Sequence, residues 1–266
     1  MDNLNIKFIR DPIKENKKQC HLLDLFKVLP IIRKDIKQHL NNFKMTNDHI
    51  IYLMLDILDK CHFRIGSIYT KSIGMSTIKK KHIKINNKTI SNKTYSSINF
   101  NGKHNIINNC DLLTNSTIIK LINKLGTNKN DNDLLFTFQD EYDITRKITI
   151  EKMNELLSKY GNITTKMFRT WKANYYFIQH IKSLDIPINK TNIEKNITKS
   201  VKFSANKLYH NTNISRRSYI DHRIIDLYKN SPTTFLNTIR KNKKYQNNDN
   251  LLDGEIDVEI LLKKVC

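Results

Sequence analysis

The spacing of apolar residues divides the chain into three textures. From Leu22 to Leu40 apolar positions recur at helical spacing with Pro30 between them, which predicts two short helices. Ile50 to Cys61 is a dense apolar run that predicts a buried helix, capped by Asp48 and ending near Arg64-Ile65-Gly66. The pattern then becomes β-branched and partly alternating over Thr77 to Ile85, Tyr95 to Phe100 and Asn105 to Leu112. Asn101-Gly102 separates the last two runs, a strong hairpin signal, so Lys103 is expected at or beside a tight turn. Helical spacing returns near 115–125, 149–160, 164–182, 190–209, 216–230, 232–240 and 255–264, with polar loops over 126–133 and 241–250. Thr164 or Thr165 is the expected cap of the helix over 164–182. Residues 1–18 are polar and charged and are expected to be poorly ordered. The expected fold is mainly α with a small antiparallel sheet of about three strands. It comprises a polar segment over 1–21 and one core over 22–266, helical at 22–66, sheet-forming at 76–112 and helical again at 115–266.

Composition adds a partner. Lys and Arg number 46 against 25 Asp and Glu, a net charge of +21. An excess of that size favours a polyanion, nucleic acid before an anionic membrane surface. The abundance of Lys, Asn and Ile also fits an AT-rich coding bias, so charge alone does not decide. No run approaches the roughly eighteen apolar residues of a membrane span. The first ten residues hold no apolar run of a secretory signal. A chain of intracellular character is therefore expected. Cys20, Cys61, Cys110 and Cys266 are widely separated with no CxxC pair, and the expectation is reduced thiols, neither disulfides nor zinc. Cys20-His21 and Cys61-His62 are adjacent pairs, which point in different directions and chelate poorly.

Five side chains carry candidate chemistry: Arg64 in Phe63-Arg64-Ile65-Gly66, Lys103 after Asn101-Gly102, Arg169 in Lys166-Met167-Phe168-Arg169-Thr170-Trp171, His210, and Tyr219 after Ser215-Arg216-Arg217-Ser218. Taken singly, each is an ordinary surface or core residue. Taken in order with their flanks, including Thr77 to Ile83, Leu135 to Phe138 and Ile163 to Tyr175, they resemble the catalytic core of type IB DNA topoisomerases. The compact form points to the poxvirus, giant-virus and bacterial branch, and the resemblance covers roughly residues 22 to 230.

The resemblance implies a tyrosine recombinase-like core and a chemistry that suits these residue types. Arg64 and Arg169 grip the nonbridging oxygens of a phosphodiester with paired planar donors, and His210 adds a further hydrogen bond. Tyr219 is the nucleophile that forms a phosphotyrosine, and Lys103 is the general acid for the expelled 5′ oxygen. Rejoining is the reverse reaction, so no cofactor, nucleotide triphosphate or metal is expected. Duplex DNA is the expected partner of a monomer, with Lys79, Lys81, Lys166, Arg216 and Arg217 contacting phosphates and Lys80 beside them. A helix over 190–209 should deliver His210 at its end, with Tyr219 near the start of the next. Phe168, Trp171, Tyr175 and Phe177 fall at helical spacing and are expected in the core.

Departures from the family pattern are Ser67 where Asn is common, Asn211-Thr212 where Thr-Pro is common, and an N-terminal stretch too short for the β domain that closes over DNA. Two rival readings stand. A tyrosine recombinase shares the chemistry, although recombinases place His where Lys166 stands. A non-catalytic DNA-binding relative would share the charge, but has no chemical reason to keep all five residues.

Overall fold

In the computed structural model, which describes residues 12–66, 72–241 and 250–266, the chain enters through two helices, α1 (Pro12–Cys20) and α2 (Leu22–Asn41). Two expectations change here. Residues 12–20 are helical rather than poorly ordered, with Gln19 buried against the body of the protein; residues 1–11 lie outside the described residues. Pro30 sits inside α2 without dividing it. A proline within a helix costs about 3 kcal/mol, but Leu22, Leu25, Leu29, Ile32, Ile36 and Leu40 form one buried stripe that runs past it. Each such side chain contributes about 1.5–3 kcal/mol on burial, so the stripe outweighs the lost backbone bond.

The central helix is α3 (Asn47–Cys61), in which every residue from Ile50 to Leu58 is buried. Its N-cap position is Thr46 rather than Asp48, and it ends at His62 in the left-handed conformation. Where a strand was expected over 77–85, Met75–Thr77 and Lys80–His82 form short 3-10 turns. Strands β1 (Ile83–Ile90), β2 (Lys93–Asn101) and β3 (Ile107–Leu113) follow as a three-stranded antiparallel sheet in sequence order. Ile98 of β2 pairs with Ile83 on one side and Cys110 on the other. The link from β2 to β3 runs over residues 102–106 instead of a two-residue turn, and its left-handed residues are His104 and Asn105. Gly102 is needed for space: a Cβ there would lie 2.4 Å from Asn108 Nδ2.

The rest of the chain is helical apart from one small hairpin. It comprises α4 (Thr117–Gly126), β4 (Thr137–Gln139), β5 (Thr145–Lys147), α5 (Ile150–Leu157), α6 (Thr165–Lys182), α7 (Lys190–Lys207), α8 (Thr212–Ser218), α9 (His222–Asn230), α10 (Pro232–Arg240) and α11 (Glu255–Val265). Strands as short as β4 and β5 hold too few residues to show an alternation, which is why no hairpin was expected there. The single helix expected over 216–230 is two, α8 and α9, broken at residues 219–221. Phe168, Trp171 and Phe177 of α6 are core residues as their spacing predicts, while Tyr175 is half-buried. Of the polar loop expected over 241–250, residues 242–249 lie outside the described residues, as does Ser67.

A buried ionic cluster joins four of the helices. Arg33 of α2 binds Asp59 of α3 at 2.7 Å and Glu255 of α11 at 2.7 Å. Lys172 of α6 binds the same two carboxylates, each at 3.2 Å. Trp171 Nε1 donates to Glu255 at 3.1 Å, so Trp171 is held by polarity as well as burial.

The cysteines overturn the reduced-thiol expectation. Cys20 is bonded to Cys266 and Cys61 to Cys110, with Cα atoms 5.6 and 5.5 Å apart. These separations lie in the range a disulfide needs. The partners are 246 and 49 residues apart in sequence, so spacing alone carried no sign of either pairing. Among the described residues no group of His, Cys, Asp and Glu is placed to hold a metal ion, and no helix is long and apolar enough to cross a membrane.

Candidate active site

Arg64 follows the end of α3 on a segment fastened by its backbone. Its carbonyl accepts from Met75 N at 2.8 Å, and the Ile65 carbonyl accepts from Ser76 N at 2.7 Å and Ser76 Oγ at 2.9 Å. Gly66 and Gly74 make this crossing possible. A Cβ on Gly74 would lie 2.5 Å from Gly66 Cα and 2.8 Å from the Arg64 carbonyl oxygen. Gly66 also has φ +81°, a conformation that an L side chain resists.

Arg169 lies in the first half of α6. Thr164 occupies the N-cap position of that helix without a side-chain capping bond. The Arg169 side chain is 4% exposed. Its Nη2 donates to the Leu208 carbonyl at 2.9 Å and to His210 Nε2. Burial pushes the guanidinium down to about 10; the Tyr219 hydroxyl beside it works against this and the Arg64 charge adds to it.

His210 comes just after α7, as expected from the helix over 190–209. Leu208 and Tyr209 close that helix, Tyr209 in the left-handed conformation, and His210 N donates back to the Ala205 carbonyl at 2.8 Å. Tyr209 is anchored across the molecule, its hydroxyl donating to the Asn109 carbonyl of β3. Burial, then the Arg169 and Arg64 charges, push the imidazole down to about 2. His210 is therefore neutral. A guanidinium has no acceptor, so Nε2 accepts from Arg169 and the ring proton belongs on Nδ1.

Tyr219 occupies the break between α8 and α9, at the end of a helix rather than near the start of one. Its ring lies 4.3 Å from the His210 ring, centroid to centroid, and 5.9 Å from Arg169 Cζ. Asn174, fully buried five residues along α6 from Arg169, holds the break from both sides. Its Nδ2 donates to the Tyr219 carbonyl at 3.1 Å and its Oδ1 accepts from Asp221 N at 2.9 Å. Nothing marked Asn174 beyond its place in the flank from Ile163 to Tyr175. The available signal was a poor helix former in the middle of an apolar helix.

Arg64, Arg169, His210 and Tyr219 are thus brought together. The fifth residue, Lys103, is exposed on the β2–β3 link and makes no hydrogen bond or ion pair with the other four. The outer basic residues divide by environment. Lys166, Arg216 and Arg217 are exposed, and Lys166 lines a recess of about 250 Å³ with Gln19, Thr170 and Ser218. Lys81 is exposed and reaches Asn132 at 2.8 Å. Lys79 and Lys80, expected to be exposed, are half-buried because the segment pairs with residues 133–135, and Lys80 Nζ donates to the Lys129 carbonyl at 2.6 Å.

One feature separates this cluster from an ordinary buried network. Among the described residues, the buried side-chain polar atoms without a partner are Asn47 Oδ1, His62 Nδ1, Arg169 Nε and Nη1, His210 Nδ1 and Ser215 Oγ. Three of these belong to Arg169 and His210, and Ser215 stands one helical turn before Tyr219. Buried donors in folded proteins almost always have partners. Here unpaired donors from two residues gather beside the Tyr219 ring, with Arg64 close enough to influence both electrostatically. The arrangement suits a bound oxyanion.

Comparison with known proteins points to one family. The sequence profile described as "Eukaryotic DNA topoisomerase I, catalytic core" matches residues 10–247. The chain is 31% identical over 238 residues to the DNA topoisomerase 1B of Acanthamoeba polyphaga mimivirus, which covers 84% of this chain and 67% of the relative. It is 29% identical over 224 residues to the DNA topoisomerase 1 of Rabbit fibroma virus (strain Kasza), covering 80% and 65%. Against the DNA topoisomerase 1B of Vaccinia virus (strain Copenhagen) it is 26% identical over 176 residues, covering 64% and 49%. The matched region therefore spans about half to two thirds of these relatives' length.

Proposed function

Because the chain belongs to the type IB DNA topoisomerase family, we propose that it nicks one strand of duplex DNA through Tyr219, lets supercoils relax and rejoins the strand. The Tyr219 oxygen attacks a backbone phosphorus and forms a P–O bond while the bond to the 5′ oxygen breaks. The phenolic proton leaves to water, and Lys103 supplies a proton to the departing 5′ oxygen. The product is a 3′-phosphotyrosine that conserves the energy of the broken linkage, so reversal needs neither a nucleotide triphosphate nor a metal.

The observation that carries this reading is the set of unpaired donors on Arg169 and His210 beside Tyr219. In-line attack gathers negative charge on the nonbridging oxygens. Donors already in place and already dehydrated stabilise that charge without reorganising. Neutral His210 suits the role, since it donates a hydrogen bond without adding a second buried charge beside Arg169. Lys103 is exposed on the β2–β3 link, and its role as the acid at the leaving oxygen rests on the family resemblance. The reading assigns all five residues to one copy of the chain, a monomer acting on duplex DNA.

The test is a supercoiled plasmid incubated with the 266-residue protein and denatured with detergent. Wild type relaxes the plasmid and leaves a covalent protein–DNA adduct, while Tyr219→Phe does neither and still binds DNA in a salt-sensitive manner. Absence of an adduct with wild type rejects the enzymatic reading. Exchange confined to defined paired sites, without relaxation of an arbitrary circle, favours the recombinase.

A further inference from the structure

The break that carries Tyr219 is held from a second direction, by α1. Gln19 donates Nε2 to the Tyr219 carbonyl at 3.4 Å, and its Oε1 accepts from Asn174 Nδ2 at 3.4 Å. The next residue, Cys20, is bonded to Cys266, which follows α11. Arg223 of α9 bridges this cross-link and the break. Its Nε and Nη2 donate to the Asp221 carboxylate at 3.0 and 2.7 Å, and Nη1 donates to the Val265 carbonyl at 2.7 Å. The same guanidinium lies 3.4–3.5 Å from the sulfurs of Cys20 and Cys266. Residues 219–221, the end of α1 and the end of α11 therefore form one bonded unit with the cross-link at its centre.

We propose that Gln19 is a positioning residue for Tyr219 and that the Cys20–Cys266 bond holds it there, so that phosphotyrosine formation is fast only while that bond is closed. The inference rests on Tyr219 being the nucleophile. Helix α1 has nine residues, and Ile13, Lys14, Lys17 and Lys18 are exposed. A helix so short does not hold itself in water, and Gln19 is its buried polar anchor. A dithiol opens the cross-link by giving up two electrons and two protons, leaving Cys20 and Cys266 as thiols and becoming a disulfide itself. With the bond open, α1 is held by noncovalent contacts alone, and the amide at the Tyr219 carbonyl loses its fixed position. Small displacements of a nucleophile are costly, about a hundredfold in rate for 1 Å.

Because a dithiol would also open Cys61–Cys110, variants make the cleaner test. Gln19→Glu keeps the size and the acceptor for Asn174 but removes the donor to Tyr219, and Cys266→Ser removes the cross-link. Three quantities are measured without reductant: the single-turnover rate of adduct formation at saturating duplex, the affinity for that duplex, and amide hydrogen exchange over residues 215–221. Both variants are expected to slow adduct formation by about tenfold, with affinity unchanged and exchange at residues 219–221 faster. An unchanged rate in either variant overturns the proposal. So does a loss of affinity that accounts for the rate, since that is what a merely structural role would give. If wild type forms no adduct, the nucleophile reading fails by itself. Exchange then decides the coupling, and protection of residues 219–221 in Cys266→Ser equal to wild type overturns it.

Discussion

Arg169 and Lys172 lie one helical turn apart on α6, both buried, and their surroundings are opposite. Lys172 is matched: Asp59 and Glu255 each lie 3.2 Å from it, and Arg33 completes the cluster. Burial works to raise both carboxylates, yet Lys172 and Arg33 hold Asp59 well below its usual value, and the Arg33 hydrogen bonds with the Lys172 charge hold Glu255 low. Arg169 has no carboxylate beside it: the Leu208 carbonyl and a neutral imidazole accept from Nη2, the Tyr219 hydroxyl lies close by, and Nε and Nη1 have no partner. One cluster spends its charge on joining helices. The other keeps its charge unmatched, at a cost in stability, and so can receive an anion.

The largest expected effect is on the matched cluster. Glu255→Ala leaves Arg33 and Lys172 sharing Asp59 in a dry interior, and breaking a buried pair in this way costs about 3–5 kcal/mol. Denaturant unfolding measures it, and adduct formation by the protein that remains folded should keep its wild-type rate. A loss below about 1 kcal/mol would mean that the cluster is incidental to holding α2, α3, α6 and α11 together.

Arg169→Ala should invert that result. Removing one preorganised donor costs about a hundred- to a thousandfold in rate, roughly 3–4 kcal/mol. Folding stability should hold or rise, because an uncompensated buried charge is gone. Single-turnover cleavage and thermal melting on the same preparation decide the matter. If Arg169→Ala unfolds as readily as Glu255→Ala, the two clusters do not differ in kind.

The two regions also differ in how far the sequence announces them. The residue types and order of Arg64, Arg169, His210 and Tyr219 are readable because the chemistry demands those groups, and the helices carrying Arg169 and leading to His210 show a clear period. Nothing local couples Arg33, Asp59, Lys172 and Glu255, whose pairing is made by the packing of four helices. The same holds for Cys20 with Cys266 and Cys61 with Cys110, where only the fold supplies the proximity. Tyr219 was expected near the start of a helix because residues 216–230 keep an apolar period throughout. The break comes from the tertiary bonds of Asn174 to Tyr219 and Asp221, which no period encodes. Pro30 misled in the other direction: a local breaker was overruled by a continuous buried stripe.

Acid should separate the regions at different pH. Burial pushes His210 down to about 2 and His62 to about 3, so both are neutral in the folded protein. Above about pH 6.5 they are neutral in the unfolded chain as well, and stability is unaffected. Below it the unfolded chain takes up protons that the folded one refuses, and stability falls as pH falls, by about 2 kcal/mol per histidine at pH 5. Asp59 and Glu255 have depressed values, so their contribution is present above about pH 4 and is lost only below it. Unfolding in denaturant at pH 7.5 and pH 5 should show the histidine loss, and His210→Gln should remove about 2 kcal/mol of it. A His210→Gln protein that keeps the full wild-type acid sensitivity would show that the imidazole is not held neutral in the site.

The smallest effect separates cations that are free at the surface from those already engaged. Arg216 is exposed on α8 just before Tyr219, while Lys80 is half-buried with its Nζ committed to the Lys129 carbonyl at 2.6 Å. A cation that neutralises a DNA phosphate releases a counterion, so losing it lowers the log–log salt slope of binding by about 0.9. Arg216→Ala should show that drop, with affinity weakened evenly across duplex sequences, as expected of a phosphate contact. Lys80→Ala should leave the slope unchanged and lower the melting temperature instead, because its ammonium fastens the loop at Lys129. Titrations of a short duplex at several salt concentrations measure both. Equal slope changes would place Lys80 on the DNA-facing surface and erase the distinction between its engaged charge and the free charge of Arg216.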